Sequence, residues 1–313
     1  MTAFRSIVMG SAALLAAATH ASAADPAVLA SIKPIHSLVA SVMQGVGEPA
    51  IIVDGAASPH TYSLKPSQAR DLQNAAVVFW VGHELEAFLE KPLESLATDA
   101  AIVELMDTDG LTRLAFREGG AFEAHADEGE HEEKDDHGND ETDPHIWLDP
   151  HNAKVLAQAI EEALARADPE NAIKYEANAD ALMVRLDDLT TEVEIMLAPV
   201  REKPFVVFHD GYHYFENRFG LQAAGSVTVS PDAIPGAARV VEIRHKIEET
   251  EATCVFAEPQ FEPKLISVVT EGTEARSGTL DPLGATIANG PDLYFTLIRQ
   301  MAKSLGDCLS GKD

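Results

Sequence analysis

The sequence predicts an α/β protein of two lobes, each a mainly parallel sheet flanked by helices, joined by one long rigid helix. Three observations carry this expectation. From residue 28 onward, short apolar runs alternate with amphipathic helical patterns, the signature of βαβ units. The alternation breaks over 118–143, where apolar periodicity disappears. Between Pro169 and Pro199 neither proline nor glycine interrupts the chain. That run of about 30 residues makes roughly 45 Å of helix, longer than the usual globular helix.

The first 23 residues stand apart. Arg5 is followed by an apolar run over 7–18 and then Ala21-Ser22-Ala23, a small-x-small site. This predicts a secretory leader cut after Ala23, because the apolar run is short for a membrane span. The N-terminal lobe covers 24–168. Its expected strands are 28–31, 51–53, 77–81 and 101–105, and its expected helices 34–46, 66–74, 85–96 and 150–167. Asp168 can cap the linker helix over 169–199, with Pro169 in its first turn. The C-terminal lobe covers 200–313. It should hold strands at 205–208, 225–229 and 254–257, and helices at 237–249, 264–271 and 293–305. No convincing residue-level repeat relates the lobes.

The formal net charge is −28, and losing Arg5 with the leader takes it to −29. Nucleic-acid binding, which needs a basic face, is excluded. A cation-handling role suits the charge, though many soluble proteins are acidic. Cys254 and Cys308 are the two cysteines. In an exported chain they most simply form one disulfide, tying the 254–257 strand to the last helix. A thiolate metal pair is the alternative.

Residues 118–143 hold twelve Asp or Glu, one Lys and the histidines His125, His131 and His137. This composition predicts a disordered acidic loop. Its histidines could capture metal weakly, or the run could simply be a solvated charged stretch. A spacing of six places no two of them on one helix face.

Four residues could make a metal centre: His60 in Ser58-Pro59-His60, His145 in Asp143-Pro144-His145, His209 directly after the 205–208 strand, and Asp281 before Pro282. His60 and His209 follow strands, and in α/β sheets ligands bind beyond the carboxyl ends of strands. Three neutral imidazoles and a carboxylate form a tetrahedral zinc set of net charge +1. A harder cation such as Mn²⁺ would favour more oxygen donors. Each residue alone has an ordinary alternative: a loop histidine, or a turn aspartate.

The stretches "SIKPIHSLVASVMQGVG", "GAASPHTYSLKPSQARDLQNAAVVFWVG", "DPHIWLDP", "VVFHDGYHYFENRFGL", "FAEPQF" and "GTLDPLG" resemble the zinc-binding substrate-binding proteins of bacterial ABC importers. These belong to the cluster A-I metal binders. The resemblance runs from the leader to the last cysteine. It implies two α/β lobes, a rigid connecting helix and one high-affinity metal in the cleft. His60, His145 and His209 match the family's three histidine ligands, and Asp281 matches its carboxylate position. Related manganese binders typically carry a carboxylate where this chain has His209. Some zinc members place a glutamate just before the first histidine; this chain has Pro59. The fourth ligand is therefore Asp281 or a water. An acidic histidine-bearing insertion is typical of the zinc members, and the family's disulfide fits Cys254 with Cys308.

His36, in a helix pattern, reads as structural, His83 as a helix-start residue and His151 as a first-turn residue. His213 lies four residues past His209, but Gly211 intervenes. The function implied is periplasmic capture of Zn²⁺ and its delivery to an inner-membrane ABC permease, by a monomer that is not an enzyme. The acidic loop could collect zinc, sense it, or dock a periplasmic zinc chaperone. No lipobox cysteine stands near the cleavage site, which favours a free periplasmic protein. The competing functions are a manganese or iron binder of the same fold and a secreted zinc hydrolase. The hydrolase lacks a His-Glu-x-x-His helix, and Asp281 would fill its open position.

Overall fold

The computed structural model describes residues 27–117, 122, 142–228, 236–262 and 264–312. The leader and the loop histidines His125, His131 and His137 lie outside the described residues.

The N-terminal lobe is built on β1 (Val28–Ile32), β2 (Ala50–Val53), β3 (Val77–Trp80) and β4 (Ala101–Glu104), all parallel, in the order β2-β1-β3-β4. The C-terminal lobe repeats that order with β5 (Phe205–Val207), β6 (Ala223–Ser226), β7 (Cys254–Ala257) and β8 (Arg276–Thr279), as β6-β5-β7-β8. The lobes thus share a topology that their residues do not advertise. In each, the chain reverses its direction of winding beside the first strand, and the crevice there is where an open sheet receives ligands.

The helices of the first lobe are α1 (Lys33–Val42), α2 (Pro66–Asn74), α3 (His83–Leu96) and α4 (Pro150–Ala167). Proline in the first turn starts α1, α2 and α4, where its missing N–H is harmless. The Asp149 carboxylate caps α4 by accepting from the His151 N–H at 2.8 Å. The linker is α5 (Ala172–Leu197), extended by 3-10 turns at Pro169–Asn171 and Ala198–Val200. Tyr175, Ala179, Leu182, Leu186, Leu189, Val193 and Leu197 form its buried stripe. Steps of three and four residues keep that stripe on one face. The helix packs on α1 and α4 of the first lobe and on α9 (Leu293–Ser310) of the second. The second lobe adds α6 (His213–Phe219), α7 (Ala237–Glu249) and α8 (Lys264–Thr270).

Several boundaries differ from expectation. α1 stops at Val42 rather than at 46, because Gly45 takes a positive φ of 72° in the turn that follows. β6 lies over Ala223–Ser226, upstream of 225–229. α9 runs on to Ser310, through Gly306, and ends at Gly311. α6 and β8 were not anticipated. β8 reads Arg-Ser-Gly-Thr, with no apolar run, because it is an exposed edge strand.

One hydrophobic core runs through both lobes. Ile32, Val39 and Phe79 of the first join Phe205, Val207 and Phe256 of the second, through Leu186 of the linker and Leu297 of α9. Val206, Phe208 and Val255 face the other way, into a smaller core under α7 and α8. Hydrogen bonds also cross between the lobes. Lys33 Nζ, nearly buried, donates to Ile287 O at 2.8 Å. Trp147 Nε1 donates to Pro282 O at 2.9 Å, and Tyr294 Oη donates to Trp147 O at 2.7 Å. No helix among the described residues is long and apolar enough to cross a membrane.

Cys254 in β7 and Cys308 in α9 form a disulfide across 54 residues of sequence. Restricting a loop of that length in the unfolded chain stabilises the fold by about 2–4 kcal/mol. Cys254→Ser/Cys308→Ser should therefore unfold at clearly lower urea concentration than the oxidised protein. An unchanged midpoint would show that the bridge contributes nothing beyond the packing of α9.

Candidate metal centre

Three segments converge between the lobes. After β2 the chain turns through a 3-10 segment, Pro59–Thr61, which carries His60. His145 caps a second 3-10 turn, Ile146–Leu148, just before α4. His209 lies two residues beyond β5. One nitrogen from each of the three rings lies within 4.8 Å of the others. The ring centroids are 5.1 Å apart for His145 and His209, 5.5 Å for His60 and His145, and 5.9 Å for His60 and His209.

The two inner rings are held from behind. His145 Nδ1 is 2.6 Å from Asp143 Oδ1, which also accepts from the His145 backbone N–H at 3.0 Å. His209 Nδ1 is 2.6 Å from Glu258 Oε1. Both carboxylates are buried. Such contacts place the proton on Nδ1, which then donates to the carboxylate, and leave the Nε2 lone pair pointing forward. The two Nε2 atoms are 3.3 Å apart. With metal–nitrogen bonds of about 2.0–2.1 Å, a tetrahedral zinc spans its ligands at roughly 3.3–3.4 Å. The spacing therefore fits one edge of a metal tetrahedron. Burial works against a charge on His209, but Glu258, with Asp210 and Asp143 nearby, outweighs it and raises the imidazole above its usual pKa. Burial and Glu258 also keep the Tyr212 hydroxyl neutral.

The cavity is small and mostly apolar. Pro59, Leu85, Trp147, Phe261 and Leu283 wall the histidines in, and about 10 Å³ is free. That admits one ion or one water rather than an organic molecule. Gly211 closes one side: a Cβ there would fall 2.4 Å from His209 Nε2 and 3.0 Å from His145 Nε2.

Asp281 is not part of the three-histidine cluster. Its Oδ1 accepts from Gln260 Nε2 at 3.0 Å and from the backbone N–H groups of Leu283 and Gly284 at 3.1 and 2.9 Å. Its Oδ2 accepts from Ala285 N–H at 2.6 Å. It stands beside the cavity, since Pro282 and Leu283 line the wall. The other histidines stay apart. His36 Nε2 bonds Pro49 O at 3.0 Å in a buried setting, and burial lowers its pKa. His83 opens α3 and lies near Glu90, His151 sits in the first turn of α4, and His213 opens α6. The sequence reasoning missed Asp143 and Glu258 as partners of the candidate ligands His145 and His209. The available signals were an acidic residue two before His145 and one directly after β7.

The family described as "Zinc-uptake complex component A periplasmic" matches residues 28–308. The high-affinity zinc uptake system protein ZnuA of Brucella suis is 53% identical over 305 residues, covering 90% of this chain and 91% of that protein. The protein of the same name from Yersinia pestis is 40% identical over 293 residues, covering 91% and 92%. A crystal structure of ZnuA superposes with a TM-score of 0.77 at 26% identity, covering 90% of this chain and 98% of the other. The periplasmic zinc-binding protein TroA of Treponema pallidum shares the fold, with a TM-score of 0.77 at 20% identity over 91% and 99% of the two chains. Matched along nearly its whole length by that family, and carrying a three-histidine cluster between its lobes, the chain belongs to the ZnuA family of periplasmic zinc-uptake components.

Proposed function

We propose that this protein captures Zn²⁺ in the periplasm and delivers it to an inner-membrane ABC permease, binding and releasing the ion without chemical change. The observation that carries the reading is the pair of Nε2 atoms 3.3 Å apart, each ring held from behind by a carboxylate. Two lone pairs brought that close favour a cation between them. The donors are imidazoles rather than several carboxylates, so the borderline-soft Zn²⁺ suits the site better than Mn²⁺ or Fe²⁺. A cavity with room for a single ion or water does not suit a hydrolase, which must also seat an organic substrate.

His60, His145 and His209 are the proposed ligands. Asp281 is the proposed fourth, through Oδ2, which among the described residues accepts one hydrogen bond, from Ala285 N–H, and keeps a lone pair for the metal. Its entry needs a shift of the 281–285 turn toward the histidines. The core shared by both lobes opposes a wide hinge motion, so release proceeds by local movement of the turns around His60 and His145.

A competitive zinc titration tests the ligand set. Alanine at His60, His145 or His209 should weaken binding by more than about 100-fold, beyond the roughly 10–100-fold cost of losing an outer partner. Three variants that all keep the tight site would place the zinc elsewhere. Asp281→Asn can keep the Oδ1 bonds to Gln260, Leu283 and Gly284, gives up the one to Ala285 and removes the anionic donor, so it should weaken binding by about 10-fold. Unchanged affinity would assign the fourth position to water.

The same site sets a pH dependence. Zinc needs the neutral imidazole, and Glu258 holds His209 above its usual pKa. Protons therefore begin to compete above the ordinary imidazole range, and affinity falls as pH drops. Glu258→Gln should move that onset to lower pH while weakening binding at pH 8 by about 10–100-fold. A titration whose pH profile is the same in wild type and Glu258→Gln would remove Glu258 from this role.

A further inference from the structure

Arg117 is the last cation before the acidic stretch, and its guanidinium reaches across to the second lobe. Its Nε donates to Asp210 Oδ1 and Oδ2 at 2.9 and 3.0 Å, and Nη2 also donates to Asp210. Nη1 and Nη2 donate to the two oxygens of Glu216 at 2.8 and 2.9 Å. Asp210 directly follows His209, and Glu216 is a buried residue of α6. Glu216 Oε2 also accepts from Ala223 N–H at 2.7 Å, at the start of β6. The side chain of Arg117 is 16% exposed, so the fork is largely desolvated. The Phe122 ring covers it, 4.1 Å from the guanidinium carbon.

The other flank of the acidic stretch docks on the same helix. Thr142 pairs with Ala115 in an antiparallel bridge. Asp143 N–H donates to Leu114 O at 2.9 Å. Tyr214 Oη, on α6, donates to Asp143 O at 2.8 Å and accepts from Leu114 N–H at 3.1 Å. Each flank then leads to one ligand: Asp143 to the His145 ring, and Arg117 through Asp210 to the backbone of His209.

We propose that Arg117 is a positioning residue for the metal centre. By forking onto Asp210 and Glu216 it fixes the turn that carries His209 against the first lobe, and so slows departure of the bound ion. This rests on the zinc-capture reading. Electrostatics alone predicts the opposite sign. Removing a cation near the site should strengthen the hold on Zn²⁺, whereas loosening the His209 turn should weaken it. Lysine separates charge from geometry, because it keeps the charge and cannot make the planar fork.

The test is stopped-flow zinc release from the full-length mature protein into excess chelator. Wild type is compared with Arg117→Gln, Arg117→Lys, Asp210→Asn and the Arg117→Gln/Asp210→Asn pair. Both Arg117 variants should release zinc about 10-fold faster, the size of effect seen for groups that orient metal ligands. Association rates should change little. The paired variant should release no faster than Arg117→Gln, since both changes break one contact. Arg299→Gln, which breaks the remote pair with Glu192 between α9 and α5, should release at the wild-type rate. Asp210→Asn leaves the Glu216 half of the fork intact, so it reports even if Arg117→Gln folds poorly. Release that is unchanged or slower in Arg117→Lys and Asp210→Asn would overturn the clamp while leaving zinc capture standing. A wild type that holds no zinc would overturn the proposed function and the clamp's role in release together.

Discussion

Two imidazole nitrogens facing each other at 3.3 Å impose the constraint on which the rest of this structure depends. With both Nδ1 protons given to carboxylates, the two Nε2 lone pairs face each other, an arrangement that a shared cation or proton relieves. The rings stay because Asp143 and Glu258 grip their far sides, and because neither carboxylate can move without disturbing a buried setting. The rings come from different lobes. Holding them within bonding reach of one ion therefore requires that the lobes keep a fixed separation.

The architecture supplies that fixity redundantly. The buried stripe of α5 serves both lobes, and a single apolar core crosses between them. Rotating one lobe away would expose that core to water, and the cost scales with the apolar area exposed. Trp147 adds a second restraint close to the site. Its indole N–H is bound to Pro282 O, and its own carbonyl accepts from Tyr294. A binding protein of this build has its freedom in turns rather than in a hinge. The turns beside His60 and His145 are short and lie at the cavity wall, which is where the proposed release would take place.

Much of this was legible in the sequence, for identifiable reasons. β1 and β3 are buried on both faces and so read as continuous apolar runs. α5 was visible because nothing breaks it. By contrast β8, with its Arg-Ser-Gly-Thr, is an edge strand fixed by its pairing with β7, and α6 has only seven residues. Neither leaves a periodic trace. The matching strand orders of the two lobes leave none either, because topology constrains which face is apolar and not which residue is used. The three histidines could be picked out by the motifs around them, not by spacing: His145 and His209 are 64 residues apart, far from any compact metal motif. Asp143 and Glu258 lie within two of those motifs, but a carboxylate behind a ring is defined only once the ring's direction is known. Arg117 was invisible for the same reason.

The acidity of the chain and the chemistry of the centre divide the work of metal recognition. A formal charge of −28 attracts every divalent cation, and at physiological ionic strength that attraction is screened within about 8 Å of the surface. It can raise the local concentration of Zn²⁺, Mg²⁺ and Ca²⁺, but it cannot tell them apart. Discrimination needs donors that hard cations refuse, fixed at a spacing that a small tetrahedral ion accepts. Three imidazoles in a tight apolar pocket meet both conditions. The nearby carboxylates are already engaged: Asp143 and Glu258, the latter at the cavity wall, hold the Nδ1 side of the rings, and Asp210 and Glu216 are taken up by Arg117. The negative charge needed to offset a divalent cation is therefore present around the site. Most of it acts through imidazoles and a guanidinium, which under the proposed zinc-capture reading lets a strongly acidic protein favour the softer ion.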